Sequence, residues 1–573
     1  MRQFYAGFKK SLLVSTLFLF FASSLSAACV NNSGTVSCTD ETVNPSVYEA
    51  YPANSTYVIQ NSANGLRGIY NNSSNGWIFK SLNITTSGTD SHAISALNGS
   101  ISAGNNININ TTADRSKGIL SEGNSIINVG SNVNIYTNGQ DSIGINALGT
   151  GSDNESHQTS RAAVNVGDNV IIRTVGSSIY PTQSLSHGIY AKYGDIVIGD
   201  NVDVLTTGIG SYGIRSDYDS TIKIGDNLTV VTTGEHGQAS TTGTGWYSYG
   251  ITSTKGSDIV IGDNLVVDIK GQNTMAVQAQ TYWATRGFDV STITIGDNAR
   301  ISTAGDTNSV ALEASKGGIV NIGDNAYITT AGSNNAYAVS AMERYDSMID
   351  GEWLIPIINM GNNATILTAG NKAHAVYSYY GNITIGDDAK IVTMGDASNG
   401  VYSWGSGSTN NLESSYGGSN IIIGKNAVIS TSGGMQNGAS AYGSVAANAI
   451  YARQNGNVTL GDNATVSVSG GGASVVYIFD HGSPAAKLHL PANVVFEGTS
   501  TLNANGNNTK ILYLGFANAS LNFNGAATFN TLGDTIDVFA ISNTGNNKYN
   551  ENVHFNDSLT INSYGSSSKA IYL

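Results

Sequence analysis

Apolar and polar residues alternate in short stretches along most of the chain. In Ile293-Thr-Ile295 and Ala299-Arg-Ile301 the apolar positions recur at every second residue, which is the spacing of a half-buried β-strand. Gly-Asp-Asn and Thr-x-Gly segments, which are typical of turns, separate these stretches. The pattern predicts three short strands in succession, near the Ile-x-Ile, Ala-x-Ile and Ala-Val-Tyr segments.

The three-strand pattern repeats. From about residue 100 the phrase apolar-x-apolar-Gly-Asp-Asn-Ala-x-apolar-x-Thr-x-Gly returns, followed by Ala-Val-Tyr-Ala or Gly-Ile-Tyr-Ala, with 25 to 38 residues between successive glycines. This period is typical of a solenoid. We therefore predict an all-β fold, a right-handed parallel β-helix with about 25 residues in its minimal coil; a β-propeller would need four-stranded blades of ~40 residues. The repeated glycines are Gly104, Gly130, Gly167, Gly199, Gly225, Gly262, Gly296, Gly323, Gly361, Gly386, Gly424 and Gly461.

The N-terminus has the features of a secretory signal peptide. A basic start precedes the apolar run Leu12–Ala22, and the small residues Ser26-Ala-Ala28 form a cleavage site. The run is shorter than the ~20 residues that a membrane anchor needs. The predicted organisation is a signal peptide (1–28), an N-terminal cap with the first coils (29–99), the repeats (100–472), and a β-helix continuation or cap that ends mid-coil (473–573).

The two cysteines, Cys29 and Cys38, follow the cleavage site at once. In an exported chain such a close pair predicts a small disulfide. Lipid modification of Cys29 is the alternative, although Leu25 lies four residues before Cys29 where that signal has leucine three before. A thiolate zinc site is excluded, because two cysteines are too few.

Composition excludes several classes of protein. Charged residues make up 12% of the chain, about half the usual ~25%, so a mostly helical protein is excluded. The net charge is −14, and −17 without residues 1–28. We predict no nucleic-acid binding, since that needs clustered Lys and Arg.

Two sets of aromatic residues are candidate contact sites. Five long units carry insertions before or after the Ala-Val-Tyr strand. These insertions place aromatic residues on loops, where the aromatic side chains either bind a partner or cover the ends of the core beneath the loops. Tyrosines that recur in the Ala-Val-Tyr strand predict an exposed, outward-facing stripe, for cross-strand stabilisation or for recognition of sugar or protein. The insertions are Gly149–Arg161, Glu235–Tyr247, Thr281–Val290, Met342–Ile357 and Trp404–Gly418; the candidate contacts are Trp246, Tyr247, Trp283, Trp353 and Trp404; and the stripe is Tyr190, Tyr377, Tyr402 and Tyr451.

Catalytic and metal motifs are not evident in the sequence. No Gly-Asp-Ser-Gly, HExxH or P-loop phrase occurs, and we predict no cofactor. The Gly-Asp-Asn turns would stack their aspartate carboxylates in a column, which could bind calcium. We favour a structural role for these turns, in which glycine has a left-handed conformation and the Asp and Asn side chains form hydrogen bonds to neighbouring backbone. The carboxylates are Asp168, Asp200, Asp226, Asp263, Asp297, Asp324, Asp387 and Asp462.

The signal peptide, the Cys29/Cys38 pair and the recurring IGDNA…TxG…AVYA phrase together resemble the passenger domain of a bacterial autotransporter of the pertactin-like class. The resemblance covers residues 29–573. It implies export with the help of outer-membrane translocation machinery, and display at the cell surface, in the outer membrane or outside the cell. The C-terminal translocator barrel that such a family implies is absent from this sequence. We expect that the chain is a fragment, that its gene is truncated, or that a separate partner exports it; a chain that truly lacks the barrel would stay in the periplasm.

The resemblance implies a non-catalytic, monomeric display rod. We expect it to mediate adhesion through its loops to a protein or glycan on a host or neighbouring cell. The alternatives are a carbohydrate-active β-helix enzyme, a polysaccharide lyase or hydrolase whose carboxylates come from adjacent coils, and a truncated, non-functional fragment.

Overall fold

The chain folds into a parallel β-helix, which confirms the fold predicted from the alternation and the repeat. A computed structural model describes residues 29–51, 54–152, 158–176, 186–234, 248–271, 273–281, 289–305, 307–343, 348–349, 352–405, 418–435, 446–479, 491–515, 519–542 and 551–572. Each coil contributes one strand to each of three long sheets, and each strand pairs in parallel with its counterpart in the next coil.

Sheet 1 is built from the Ile-x-Ile segments that precede the Gly-Asp-Asn turn. Its 16 strands within the described residues are Gly76–Phe79, Ser100–Ala103, Ile126–Val129, Ala162–Val166, Gly194–Ile198, Thr221–Ile224, Asp258–Ile261, Thr292–Ile295, Ile319–Ile322, Ile357–Met360, Asn382–Ile385, Ser419–Ile423, Gly456–Leu460, Ala492–Phe496, Ala519–Phe523 and Glu551–Phe555.

Sheet 2 is built from the segments that follow this turn. Val30–Asn32 pairs antiparallel with its first parallel strand. The parallel strands are Thr35–Thr39, Thr56–Asn61, Ser81–Thr86, Ile107–Thr111, Val133–Thr137, Val170–Thr174, Val202–Thr206, Leu228–Thr232, Val266–Ile269, Arg300–Thr303, Tyr327–Thr330, Thr365–Thr368, Lys390–Thr393, Val428–Thr431, Ala464–Val468, Ser500–Ala504, Ala527–Thr531 and Leu559–Ser563.

Sheet 3 contains the Ala-Val-Tyr segments. Its pairings run from the first strand to the last as one open ladder. The strands are Ile69–Asn71, Ile94–Ala96, Lys117–Glu122, Ile143–Leu148, His187–Lys192, Tyr212–Asp217, Tyr249–Thr254, Met275–Gln280, Val310–Ser315, Tyr337–Met342, His374–Tyr379, Val401–Trp404, Ile450–Arg453, Ser474–Phe479, Lys510–Gly515, Asp537–Ser542 and Lys569–Tyr572.

The core is one apolar column enclosed by the three sheets. Ile196, Ile222 and Ile259 in sheet 1 are fully buried and lie in register in successive coils, as do Ile189 and Ile214 in sheet 3. A single coil buries little apolar surface, so the stack of coils supplies the core. The three sheets also include strands from the described parts of 29–99 and 473–572, with sheet 3 beginning at Ile69 and sheet 1 at Gly76.

The Gly-Asp-Asn corner between sheets 1 and 2 is the most regular part of each coil, with one to four residues between the two strands. The Oδ1 atom of Asp263 accepts the backbone N–H of Asp297 at 2.8 Å, and Asp297 Oδ1 accepts from Asp324 at 2.8 Å. The Nδ2 group of Asn298 donates to Asn264 Oδ1 at 3.2 Å. The same Asp and Asn contacts recur in most neighbouring coils, so both side chains bond the coils together.

The predicted conformation of this corner was wrong in one respect. The residue with positive φ is the asparagine, for example Asn298 with a φ of 63°, and not the glycine. Glycine is required for another reason: a Cβ atom at Gly296 would overlap Asp263 Oδ1, which lies against it from the preceding coil.

A short helix covers the beginning of sheet 1. The helix Pro45–Ala50 starts with proline at its first position, and the Asn44 side chain accepts the N–H of Val47 at 3.2 Å. Tyr48 stacks on the buried Trp77 with ring centroids 5.0 Å apart. The nearby Cys29 and Cys38 form a disulfide.

From Ile69 onward the longer connections all flank sheet 3, at the two positions predicted for the insertions. They occur between sheets 2 and 3, as between Thr232 and Tyr249, or between sheets 3 and 1, as between Trp404 and Ser419. Two insertions contain a small antiparallel hairpin, Thr150–Gly151 with Gln158–Ser160 and Met348–Ile349 with Glu352–Trp353. Among the described residues no helix is long and apolar enough to cross a membrane, and the predicted signal peptide lies outside them.

Candidate functional site

The outer face of sheet 3 carries the candidate site, because the variable connections lie on both sides of this sheet. Register places one outward residue of each coil in a continuous column along this face. The column mixes polar, charged, aromatic and aliphatic residues up to Ser340, and the next five residues are all tyrosine. In order it is Tyr70, Ser95, Leu120, Asn146, Tyr190, Arg215, Thr252, Gln278, Glu313, Ser340, Tyr377, Tyr402, Tyr451, Tyr477, Tyr513 and Ala540.

A groove of about 510 Å³ lies over the first half of this column. Its volume is within the ~300–1,000 Å³ of common ligand sites. Five basic and four acidic side chains line it, so the groove is slightly positive in a chain whose net charge is −14. The residues lining this polar groove are Asp90, His92, Arg115, Lys117, Leu120, Glu122, Asp141, Ile143, Asn146, Leu148, His187, Tyr190, Lys192, Arg215, Asp217, Tyr218 and Lys255.

An ion pair between Arg215 and Asp217 forms one end of the polar groove. The two residues are neighbours on the outer face of one strand, with Arg215 Nη2 2.6 Å from Asp217 Oδ2, and only 1% of the Asp217 side chain is exposed. Tyr190 OH donates to the same carboxylate at 3.4 Å. Burial opposes ionisation of Asp217, but Arg215 and Lys255 outweigh it and hold the pKa of this carboxyl below its usual value.

Lys117, Asp141 and His92 form the other end. The Lys117 ammonium group donates to the backbone carbonyl of Asp141. Burial lowers the pKa of Lys117 to about 8 and raises the pKa of Asp141. Burial, with Arg67 and Lys117 nearby, lowers the pKa of His92 to about 3, so this imidazole is neutral at physiological pH.

Three buried polar atoms in the groove have no hydrogen-bond partner among the described residues. They are Asp141 Oδ1, Asn146 Oδ1 and His187 Nδ1, and their residues are 7%, 4% and 2% exposed. Buried polar groups in folded proteins nearly always have partners. The groove therefore offers hydrogen-bonding positions that the described part of the chain does not use.

The predicted tyrosine stripe is present as a stack but is not exposed. Tyr402 stacks on Tyr451 at 4.4 Å and meets Tyr377 edge-on at 5.2 Å, and only 9% of Tyr402 and 6% of Tyr377 are exposed. Tyr190 is separate from this stack, in the polar groove. The prediction of exposure was wrong because neighbouring aromatic and long side chains on the same face cover these rings.

The loop tryptophans predicted as ligand contacts are only partly described. Trp404 is half-buried at the end of its strand, where its Nε1 group donates to Gln454 Oε1 at 2.8 Å and the Arg453 guanidinium lies 4.5 Å from its ring. The backbone of Trp353 lies in the Glu352–Trp353 hairpin strand. Trp246, Tyr247 and Trp283 lie outside the described residues.

Sequence reasoning missed the polar groove. A signal for it exists: the outward positions of the Ala-Val-Tyr strand carry Lys117, Lys192, Arg215 and Asp217, although only 12% of the chain is charged. An alignment of these strands in register places the four charged residues on one face of the sheet.

No group of His, Cys, Asp or Glu residues suited to a metal ion occurs in the described part of the chain. The fold defines a parallel β-helix with a polar groove on one sheet. No known protein family, no curated protein and no solved structure matches the chain.

Proposed function

We propose that the protein is an exported display rod that binds a host or neighbouring cell through the outer face of sheet 3 and the connections beside it. It is the passenger of an autotransporter-like secretion system and does not catalyse a reaction on its ligand. The observation that carries the proposal is the unequal distribution of the connections. From Ile69 onward, the corner between sheets 1 and 2 has one to four residues in each coil, whereas the longer connections all flank sheet 3.

Such a distribution suits a scaffold in which the short corner between sheets 1 and 2 maintains the register of the coils, while the connections beside sheet 3 vary and supply the contacts with a partner. Binding residues are commonly carried by loops on a rigid framework. The groove and the tyrosine stack lie between the two sets of connections, so a ligand bound there would contact sheet and loops together. The signal peptide and the IGDNA phrase support export and the autotransporter resemblance.

Surface labelling and an adhesion assay test this function. Cells that produce the full chain should display it to an impermeant label and should adhere to target cells more than cells without it. Changing Trp246, Trp283 and Trp353 together to alanine should abolish adhesion without loss of folded protein. A matched control changes Tyr136, Ile171 and Val428 to alanine, since these side chains are exposed on sheet 2. Adhesion that survives the tryptophan changes, or a chain confined to the periplasm, would overturn the proposal.

A carbohydrate-active enzyme is the second candidate. The observation in its favour is the gathering of titratable groups with shifted pKa values, Lys117 and Asp141 among them, in one groove. Incubation of the purified chain with acidic and neutral polysaccharides, followed by analysis of chain length, distinguishes the two functions. Release of shorter products, lost in Lys117→Met, would favour the enzyme.

A further inference from the structure

We propose that the polar groove on sheet 3 binds an acidic carbohydrate, a short run of sugar rings that bear carboxylate or sulfate groups. The inference deepens the proposed function. It rests on that function only for the place where the protein encounters its ligand, since binding itself can be measured on the purified chain. Three features of the groove carry it: its unused acceptors, its cations, and its position on the face of a sheet.

The unused acceptors call for a ligand that donates hydrogen bonds. Asp141 Oδ1 and Asn146 Oδ1 can only accept, and His187 Nδ1 accepts when the neutral ring carries its proton on Nε2. All three are buried in the groove without a partner among the described residues. Sugar hydroxyl groups are donors of suitable size, and a bound sugar would remove the penalty of three unsatisfied atoms.

The cations call for negative charge on the same ligand. Arg115 is paired with Asp90 at 2.7 Å, and Arg215 with Asp217, so the two arginines largely neutralise these acids. The ammonium groups of Lys117, Lys192 and Lys255 then stand against the carboxylates of Glu122 and Asp141, which leaves an excess of positive charge in the groove. A carboxylate or sulfate would balance this excess and gain charge-assisted hydrogen bonds, which a neutral sugar would not.

The position of the groove favours a carbohydrate over an acidic peptide. The groove crosses the faces of four successive strands, from Lys117–Glu122 to Tyr212–Asp217, a distance of about 15 Å at the usual strand spacing. Their backbone groups are already paired within the sheet, so a peptide cannot add a strand there. Tyr190 lines the groove, whereas the ring of Tyr218 is covered by the ammonium groups of Lys192 and Lys255, 4.6 and 3.8 Å from its centroid.

Titration calorimetry on the full purified chain tests the inference. The probes are a hyaluronan tetrasaccharide with carboxylates, a chondroitin sulfate tetrasaccharide that adds sulfates, neutral chitotetraose, and a short poly-glutamate. We expect the acidic tetrasaccharides to bind at least tenfold more tightly than chitotetraose and poly-glutamate, and their affinity to fall with added salt. The ratio between the two acidic probes identifies which anion the groove prefers.

Variants locate the binding. Lys117→Met and Asn146→Leu should each weaken binding of the preferred probe at least fivefold, while Lys425→Met, on an exposed residue of the Gly-Asp-Asn corner, should not change it. Circular dichroism and melting of each variant show that the fold is kept, and Lys192→Met is a second cation variant if Lys117→Met fails to fold. Equal binding of chitotetraose, tighter binding of poly-glutamate, no binding by the folded chain, or unchanged binding in the groove variants would overturn the inference.

Adhesion assays keep the two proposals apart. Cell adhesion that persists in Lys117→Met, together with lost saccharide binding, would leave the display function standing and assign it to another ligand. Saccharide binding by a chain that is never displayed would support the groove and overturn the display function.

Discussion

Asn298 allows the energetic contribution of the Gly-Asp-Asn corner to be separated into two parts. Its side chain donates to Asn264 and accepts from Asn325, each at 3.2 Å, and its φ is 63°. Asn298→Gly removes both hydrogen bonds and keeps the left-handed conformation free of strain. At about 0.5 kcal/mol for each exposed hydrogen bond, we expect the free energy of unfolding to fall by about 1 kcal/mol. Asn298→Ala adds the cost of a Cβ-bearing residue at positive φ, about 1 kcal/mol more.

Two measurements check these values. Urea unfolding followed by tyrosine fluorescence gives the global change, and amide hydrogen exchange at Arg300 and Tyr327 gives the opening free energy of the adjoining coils. Asn298→Asp is a control, because Asp388 occupies the equivalent position and accepts from Asn426 at 2.9 Å. Equal stability of the Gly and Ala variants would refute the strain argument, and wild-type stability in both would refute any contribution from the asparagine ladder.

Three further changes test the core and the groove. Phe523→Ala empties a fully buried position between two stacked rings and should lower the free energy of unfolding by about 3–5 kcal/mol in denaturant titrations; a loss under about 1 kcal/mol would contradict the packing. Asp217→Asn leaves the Arg215 charge without its buried partner and should cost about 3–5 kcal/mol, with recovery in Asp217→Asn/Arg215→Met; no recovery would mean that the pair is not the cause. Burial lowers the pKa of His187, so the ring stays neutral in the folded chain. In the unfolded chain the same ring takes up a proton below about pH 6.5, and the free energy of unfolding therefore decreases as the pH falls. His187→Gln should therefore lose less stability than the wild type between pH 7 and 5, and parallel stability curves would contradict this.

The coil could be predicted from the sequence because its signals are local. The alternation in Ile293-Thr-Ile295 assigns one strand face to the core, and the recurring turn after it sets the length of each unit. The left-handed residue could not be assigned from the phrase alone. Gly296 and Asn298 both tolerate turn conformations, and the contact between Gly296 and Asp263 of the preceding coil decides between them.

The site was harder to predict because it depends on neighbours that are distant in sequence. Tyr402 is covered through stacking on Tyr451, 49 positions away, and the polar groove brings Lys117 and Asp217 to one face from separate coils. The insertions beside sheet 3 were evident as variable spacing, since extra length in a repeat is visible without any knowledge of contacts. The side chains that lie beside those insertions depend on the register of the strands, and strand pairing determines that register.

The parallel stacking of coils has a mechanical consequence. A pull along the axis loads the hydrogen bonds between the outermost coil and the next one, so the rod should yield one coil at a time from its end. A 25-residue coil then releases about 85 Å of extended chain, and a 38-residue coil about 130 Å. Force–extension records of a single tethered chain should therefore show steps of unequal length in the order of the repeats. Attached at one end and loaded at the other, the rod would act as an extensible tether that lengthens in increments set by its insertions.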